Sequence, residues 1–156
     1  SRDAARHYQH SELGFNYRMS NVLAGIGRGQ LKVLNQRVAK KKYIFEFYQK
    51  ELSSLEGIEF MPINEWNEPN CWLSAITLNG SVSPLEVMKA LEQENIESRP
   101  IWKPMHRQPF FEKYDFIGTD VAEELFEKGV CLPSDTKMTD EDLERVVNTI
   151  KKLWGV

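Results

Sequence analysis

A short polar segment lies directly in front of the first helix that the sequence predicts. Asn16 and Arg18 precede Ser20, a typical N-cap residue, and the helix is expected to begin at Asn21. A helix N-terminus offers unpaired N–H groups and the positive end of the dipole, and an amide and a guanidinium add donors for an oxyanion. The pattern therefore indicates phosphate binding. The alternative is a turn at Asn16 and an ion pair between Arg18 and Glu12.

Three glycines, Gly25, Gly27 and Gly29, occupy the first turns of this helix. They do not form a dinucleotide-binding loop, because no strand precedes them and Gln30 stands where that motif needs a further glycine. Gly25 and Gly29 share one helix face, where missing side chains let another backbone approach. Each exposed helical glycine costs about 1 kcal/mol relative to alanine, so we expect a packing partner outside this chain.

A second polar group lies on the proline-spaced loop WKPMHRQPFF. Trp102, Lys103 and His106 are held there between Pro104 and Pro109. An aromatic ring, a cation and an imidazole on one stiff loop can hold a sugar or a nucleotide, and they can equally serve packing alone. Both interpretations remain open from the residues.

Other polar groupings give weaker signals. His7 and His10 lie three residues apart with Glu12 nearby, but no further ligand stands at a usual spacing, so no metal site is expected. No Cys or Ser lies in a nucleophile elbow, so no catalytic triad is predicted. Cys71 and Cys131 are expected to be reduced, with a disulfide between them left open.

Length and composition are typical of one folded domain. The 156 residues are 41% hydrophobic and 28% charged, which excludes a disordered chain. The longest apolar run, CWLSAITL, is far below the roughly 20 residues of a membrane helix. The first residues lack the layout of a secretory signal, so we expect a cytoplasmic protein with no membrane partner. The absence of an initial Met suggests a fragment of a longer protein.

Charge is divided unevenly along the chain. Residues 1–50 carry ten Lys and Arg against three Asp and Glu, whereas residues 51–156 carry ten against twenty. A basic half is typical of a solvated helix face, of an anionic ligand or of nucleic-acid binding. Nucleic acid is the least favoured, because stacking aromatic residues are not interleaved with the basic ones.

Apolar spacing and turn signals predict a small α+β sandwich of three to four short strands covered by helices. A three-and-four pattern predicts one long helix over residues 21–56, ended by Gly57. About 35 residues would make a rod near 50 Å, longer than a compact domain of this size, so the helix is expected to project or to bend at its glycines. Strands follow at residues 71–78, 96–99 and 130–132, and Ser83, Thr119 and Thr139 are predicted helix caps.

Two motifs resemble the DegT-type nucleotide-sugar aminotransferases, which are pyridoxal 5'-phosphate (PLP) enzymes of fold type I. These motifs are HYQHSELGFNYRMSNVLAGIGRGQL and SRPIWKPMHRQPFF, and the likeness continues into GVCLPSDTKMTDEDLERVV. It is strongest to enzymes that aminate UDP-4-keto-6-deoxy sugars, as in bacillosamine synthesis. The resemblance implies transfer of an amino group from an amino acid, with glutamate the expected donor, to a keto sugar nucleotide.

The resemblance also implies roles for parts of the chain. Residues 1–20 would be an extended segment that contacts the neighbouring subunit of a homodimer, residues 21–56 an interdomain helix, and residues 57–156 the carboxy-terminal small domain. Asn16 would bind the PLP phosphate across the dimer. Arg18 and His106 would line the sugar-nucleotide pocket, with Trp102 and Lys103 weaker candidates beside them.

The family places its Schiff-base lysine upstream of these motifs, so the chain alone is expected to be inactive. Lys41 is the only lysine on the apolar stripe, and its neighbours Lys40 and Lys42 indicate a solvated edge rather than a desolvated nucleophile. The rival hypothesis is a non-catalytic interaction or regulatory module, which the basic half would favour.

Overall fold

The computed structural model describes residues 2–156, and its centre is one antiparallel sheet. Strands β1 (Ile58–Phe60), β2 (Ser74–Leu78), β3 (Arg99–Pro100) and β4 (Gly129–Leu132) lie in the order β1-β2-β4-β3. Ile76 of β2 pairs with Phe60 on one side and with Val130 on the other. Because β2 is central, Ile76 and Leu78 are both buried, and all four residues of β4 are buried as well.

Within the described residues, five α-helices accompany the sheet, and three of them begin at caps that the sequence predicts. Helices α1 (Asn21–Leu31), α2 (Leu34–Leu52), α3 (Pro84–Gln93), α4 (Val121–Lys128) and α5 (Asp140–Lys151) occur in that order. The Ser20 hydroxyl accepts from the Leu23 N–H, and Ser83 and Thr139 each form a capping box at α3 and α5. The α+β class is therefore confirmed.

The hydrophobic core lies between the sheet and helices α2, α3 and α5. Tyr48 of α2 is fully buried, and its hydroxyl donates to the Pro133 carbonyl oxygen at 2.9 Å. Burial raises the pKa of Tyr48 well above its usual value, so the ring stays neutral. The other fully enclosed apolar side chains of this core are Ile44, Leu52, Val87, Leu91, Val130, Leu143 and Ile150.

The predicted single helix over residues 21–56 is instead two helices. At Lys32 and Val33 the backbone N–H groups donate three residues back, to Gly29 and Gln30, and Val33 leaves the helical region with φ −114° and ψ 5°. Helix α1 buries no residue, whereas α2 follows the core, so packing does not hold the two collinear. Helix α2 ends at Leu52, and Gly57, with φ +80°, turns the chain against the Gly80 backbone.

Three predicted boundaries also shift. The N-cap residue of α4 is Asp120 rather than the predicted Thr119, and the Asp120 side chain forms no hydrogen bond with the first turn of the helix. The strand predicted from Cys71 begins only at Ser74, because Cys71 adopts a left-handed backbone with φ +50°. The strand predicted over residues 96–99 is confined to Arg99–Pro100. Cys71 and Cys131 are both buried, free thiols.

Candidate functional site

The residues before α1 form an arm that docks onto the loop containing His106. We use "the arm" for residues 2–20, which contain no helix or strand. Gln108 is only 4% exposed, and its Oε1 accepts from the His10 N–H at 2.9 Å while its Nε2 donates to the Tyr8 carbonyl at 2.8 Å. The Phe110 N–H also donates to the His10 carbonyl, at 3.4 Å. A buried amide thus joins two segments nearly one hundred residues apart.

The docked arm and the loop enclose a groove of about 460 Å³, which we call the Asn16 groove. Arm residues between His10 and Asn16 line one side, and Met105, Gln108, Phe110 and Phe111 line the other. Asn16 is exposed at this groove, so its amide can donate to a molecule bound there.

The N-terminus of α1 follows Asn16 closely in the chain. The Ser20 hydroxyl satisfies the Leu23 N–H at 3.3 Å, which leaves other first-turn N–H groups as donors. Arg18 is exposed, and the ion pairs within residues 2–156 do not include it, so the alternative pairing with Glu12 is not found. An amide, a guanidinium and a helix N-terminus thus remain available to an anion.

His106 is held by helix α4 and by an aromatic ring. Its Nε2 lies 2.8 Å from Glu123 Oε1, and its ring stacks on Phe116 with a centroid separation of 3.7 Å. Arg107 also donates to Glu123. The hydrogen bond with His106, followed by the one with Arg107, holds the pKa of Glu123 below its ordinary value. The imidazole is therefore oriented by Glu123 and lies in a small pocket with Phe116.

The loop residues that the sequence groups together face different neighbours. Trp102 is partly exposed and stacks with Trp72 and with Tyr8, whereas the Lys103 ammonium donates to Gln9 Oε1 at 3.0 Å. Trp102 and His106 line separate pockets. The structure therefore brings Asn16 to the same groove as Met105, next to His106, and it does not gather Trp102, Lys103 and His106 around one cavity.

Lys41 is used as a structural donor. Its ammonium donates to the Trp72 carbonyl at 2.8 Å and to the Ser134 carbonyl. Desolvation lowers the pKa of Lys41, and the opposing charge of Asp135 only partly offsets this. Both acceptors are backbone carbonyls, so the Lys41 ammonium links the segments that contain Trp72 and Ser134.

Several residues that shape these pockets lie outside the sequence-based candidates. They are Gln108, Trp72, Tyr8 and Arg99, and each acts through a partner far away in the chain. No spacing rule connects such pairs, although a glutamine among prolines and aromatic residues could have been noted as a buried polar group. Within residues 2–156, no three His, Cys, Asp or Glu side chains converge as metal ligands. No helix in that range could cross a membrane.

The four-stranded sheet and the helices that cover it form a small α+β domain, onto which the arm docks. The chain matches the DegT/DnrJ/EryC1/StrS aminotransferase family over residues 1–151 and belongs to that family. Among curated relatives, it is 44% identical over 158 aligned residues to the putative pyridoxal phosphate-dependent aminotransferase EpsN of Bacillus subtilis (strain 168). That alignment covers 99% of this chain and 41% of EpsN.

A further curated relative agrees with this assignment, and two solved structures share the fold. The GDP-perosamine synthase of Escherichia coli O157:H7 is 29% identical, over 96% of this chain and 40% of its own length. A DegT DnrJ EryC1 StrS aminotransferase from Brucella abortus superimposes with a TM-score of 0.78 at 20% identity, over 96% of this chain and 40% of that one. DesI, crystallised in the presence of its TDP-sugar product, superimposes with a TM-score of 0.75 at 19% identity, over 86% of this chain and 35% of the DesI chain. The structures show the fold, and the chain spans about two fifths of these curated relatives.

Proposed function

We propose that this chain is the carboxy-terminal part of a PLP-dependent aminotransferase that moves an amino group from an amino acid, glutamate, to a keto sugar nucleotide. The observation that carries the proposal is the 44% identity to EpsN across 99% of the chain. The name of the second relative, GDP-perosamine synthase, supports a nucleotide-linked sugar as acceptor. Two free, buried cysteines suit the cytoplasmic location that the proposal includes.

The polar groups between Asn16 and the first turn of α1 fit a phosphate group. Asn16 supplies an exposed amide, and α1 begins five residues later with N–H groups that its cap leaves unpaired. PLP supplies the electron sink for amino transfer when it is bound. In the proposed enzyme, Asn16 donates to the phosphate of the cofactor bound by the neighbouring subunit, and the enzyme is a homodimer. The exposed Arg18 binds the anionic part of the sugar nucleotide.

In this proposal, the residues of the loop also contact the sugar nucleotide. His106 is oriented by Glu123, so its ring presents a defined edge to the sugar. Lys103, held by Gln9, and Trp102 lie on the same loop and take lesser parts. These residues bind and orient the substrate, and the Schiff-base lysine belongs to another part of the enzyme.

The first test concerns the chain by itself. We expect that incubation of residues 1–156 with PLP, followed by borohydride reduction, leaves no lysine modified at stoichiometric yield, because Lys41 is engaged by two carbonyls. Mass spectrometry of the reduced protein measures the yield at each lysine. A single fully modified lysine would show that this chain carries its own Schiff-base residue. That result would contradict the proposal that the Schiff-base lysine lies in another part of the enzyme.

The second test removes the amide of Asn16 in the complete enzyme that contains these residues. Asn16→Ala should weaken PLP binding roughly tenfold or more, since a hydrogen bond to a charged group contributes about 1.5–3 kcal/mol. Equilibrium dialysis of the cofactor measures the change. Asn35→Ala, at an exposed position of α2, is the matched control and should bind PLP as the wild type does. Equal PLP affinity in the Asn16 and Asn35 variants would refute the proposed role.

A further inference from the structure

The buried side chain of Gln108 bonds the backbone of two segments at once. Its Oε1 accepts from the His10 N–H at 2.9 Å, and its Nε2 donates to the Tyr8 carbonyl at 2.8 Å and to the Lys103 carbonyl at 3.3 Å. Both N–H groups of the amide are therefore used, one on the arm and one on the loop that contains His106. A single side chain thus fixes the position of the arm relative to that loop.

The chemistry of position 108 calls for an uncharged amide. The arm presents one acceptor, the Tyr8 carbonyl, and one donor, the His10 N–H, to the same side chain. An ionised glutamate could not donate to the carbonyl, and a lysine or an arginine could not accept from the N–H. A charge at this buried position would also lose its hydration. The residue type at this position therefore matches the task of binding the arm backbone.

The backbone of Gln108 is itself held on both sides. Its N–H donates to the Met105 carbonyl at 3.0 Å, and its carbonyl accepts from the Phe111 N–H at 2.8 Å and from the Glu112 N–H at 3.1 Å. Met105 is the first residue of the 3₁₀ turn that contains His106. The amide that binds the arm therefore belongs to the same hydrogen-bonded unit that places His106.

Asn16 lies close to this point of attachment. It follows His10 by six residues and lines the same groove as Gln108. His10 is bonded to the loop through both of its backbone groups, because the Phe110 N–H donates to the His10 carbonyl at 3.4 Å. A donor that is already held near its binding position loses less conformational freedom when a ligand binds. The anchored His10 therefore favours binding by Asn16.

We propose that Gln108 is a positioning residue for the cofactor phosphate, because it holds His10 against the loop and thereby keeps Asn16 where it can bind that phosphate. This role rests on the proposed function, which supplies the phosphate contact of Asn16. Other bonds of the arm, such as that of Gln9 with Lys103, lie farther from Asn16 along the chain. When the arm is released, Asn16 is ready to bind in a smaller fraction of molecules. The apparent dissociation constant for PLP rises by the inverse of that fraction.

The complete enzyme that contains these residues tests the role of Gln108 with two probes, PLP and pyridoxal, which lacks the phosphate. In equilibrium dialysis, Gln108→Ala should weaken PLP binding roughly threefold or more and change pyridoxal binding by less than about twofold. Gln108→Met keeps a side chain of similar size without the hydrogen bonds and should give the same result. Gln93→Ala, at an exposed position of α3, is the matched control. Circular dichroism checks that each variant is folded.

A double variant shows whether Gln108 acts through Asn16. In an enzyme that already carries Asn16→Ala, adding Gln108→Ala should change PLP affinity by less than about twofold, because the contact that Gln108 supports is gone. An equal further loss in that background, or an equal loss for pyridoxal, would indicate general damage to the fold and would overturn the positioning role.

The results also separate this role from the proposed function. If Asn16→Ala weakens PLP binding and Gln108→Ala does not, the positioning role is wrong and the phosphate contact of Asn16 stands. If Asn16→Ala leaves PLP binding unchanged, the phosphate contact is wrong, and the positioning role of Gln108 is overturned with it.

Discussion

Leu143→Ala should lower the free energy of unfolding by about 2–5 kcal/mol, one of the two largest effects that the structure predicts. Leu143 lies in α5 and is fully buried among α2 and α3 core residues such as Ile44 and Leu91. Alanine removes the transfer free energy of the side chain and leaves a cavity that this close-packed region fills only in part. Urea denaturation followed by circular dichroism measures the difference.

A matched leucine separates burial from helix propensity in that experiment. Leu85 lies in α3 and is 42% exposed, so Leu85→Ala should cost less than about 1 kcal/mol. Both changes place alanine in a helix, where it is favourable, and they differ mainly in the apolar contact that is lost. Similar losses in the two variants would mean that the core does not lie between α5, α2 and α3 as described.

Gln108→Ala should release the arm while the sheet remains folded. The buried amide bonds the backbone of Tyr8 and of His10, and it also donates to the Lys103 carbonyl at 3.3 Å. Loss of three hydrogen bonds in a buried position should lower the local stability of the docked arm by roughly 2–4 kcal/mol. Backbone hydrogen exchange in residues 2–13 should therefore become at least about 30-fold faster.

Exchange in the sheet provides the internal comparison for this variant. The Ser74–Leu78 strand and the core helices make none of these contacts and should exchange as in the wild type. Gln93→Ala, at an exposed position of α3, is the control for removing an amide. Unchanged exchange of the arm in Gln108→Ala would show that other contacts, such as the Arg6–Glu92 ion pair, suffice to dock it.

Local signals in the sequence predict the helix starts well. Ser20, Ser83 and Thr139 accept hydrogen bonds from first-turn N–H groups, as their types and the residues after them indicate. Such caps depend on residues within four positions, so a single sequence contains the whole signal. The α+β class follows from the same elements, although the strand order does not.

Contacts between distant residues could not be predicted in the same way. The bonds of Gln108 to the arm join positions 98 and 100 apart, and the stacking of Trp72 on Trp102 depends on where two loops meet. The left-handed Cys71 interrupts a run that alternation alone assigns to a strand. Periodicity and capping describe neighbours along the chain, whereas these features arise from tertiary packing.

The break between α1 and α2 is also a feature that hydrophobic periodicity does not predict. The apolar spacing is regular across residues 31–38, so it predicts one helix, yet only α2 has core neighbours. The roles of Asn16, Arg18 and His106 remain proposals. Asn16 and Arg18 lie on the arm, and His106 lies on the loop onto which the arm docks, so substitution of each residue tests its role directly.

The outer strands of the sheet have a consequence for solubility at high concentration. Strand β1 has three residues, and β3 has two, one of which is Pro100 and offers no N–H. Each edge strand is therefore too short to form a row of backbone hydrogen bonds with a strand of another molecule. Edge-to-edge polymerisation into fibrils is disfavoured by the geometry of the sheet itself, whatever charge the surface carries.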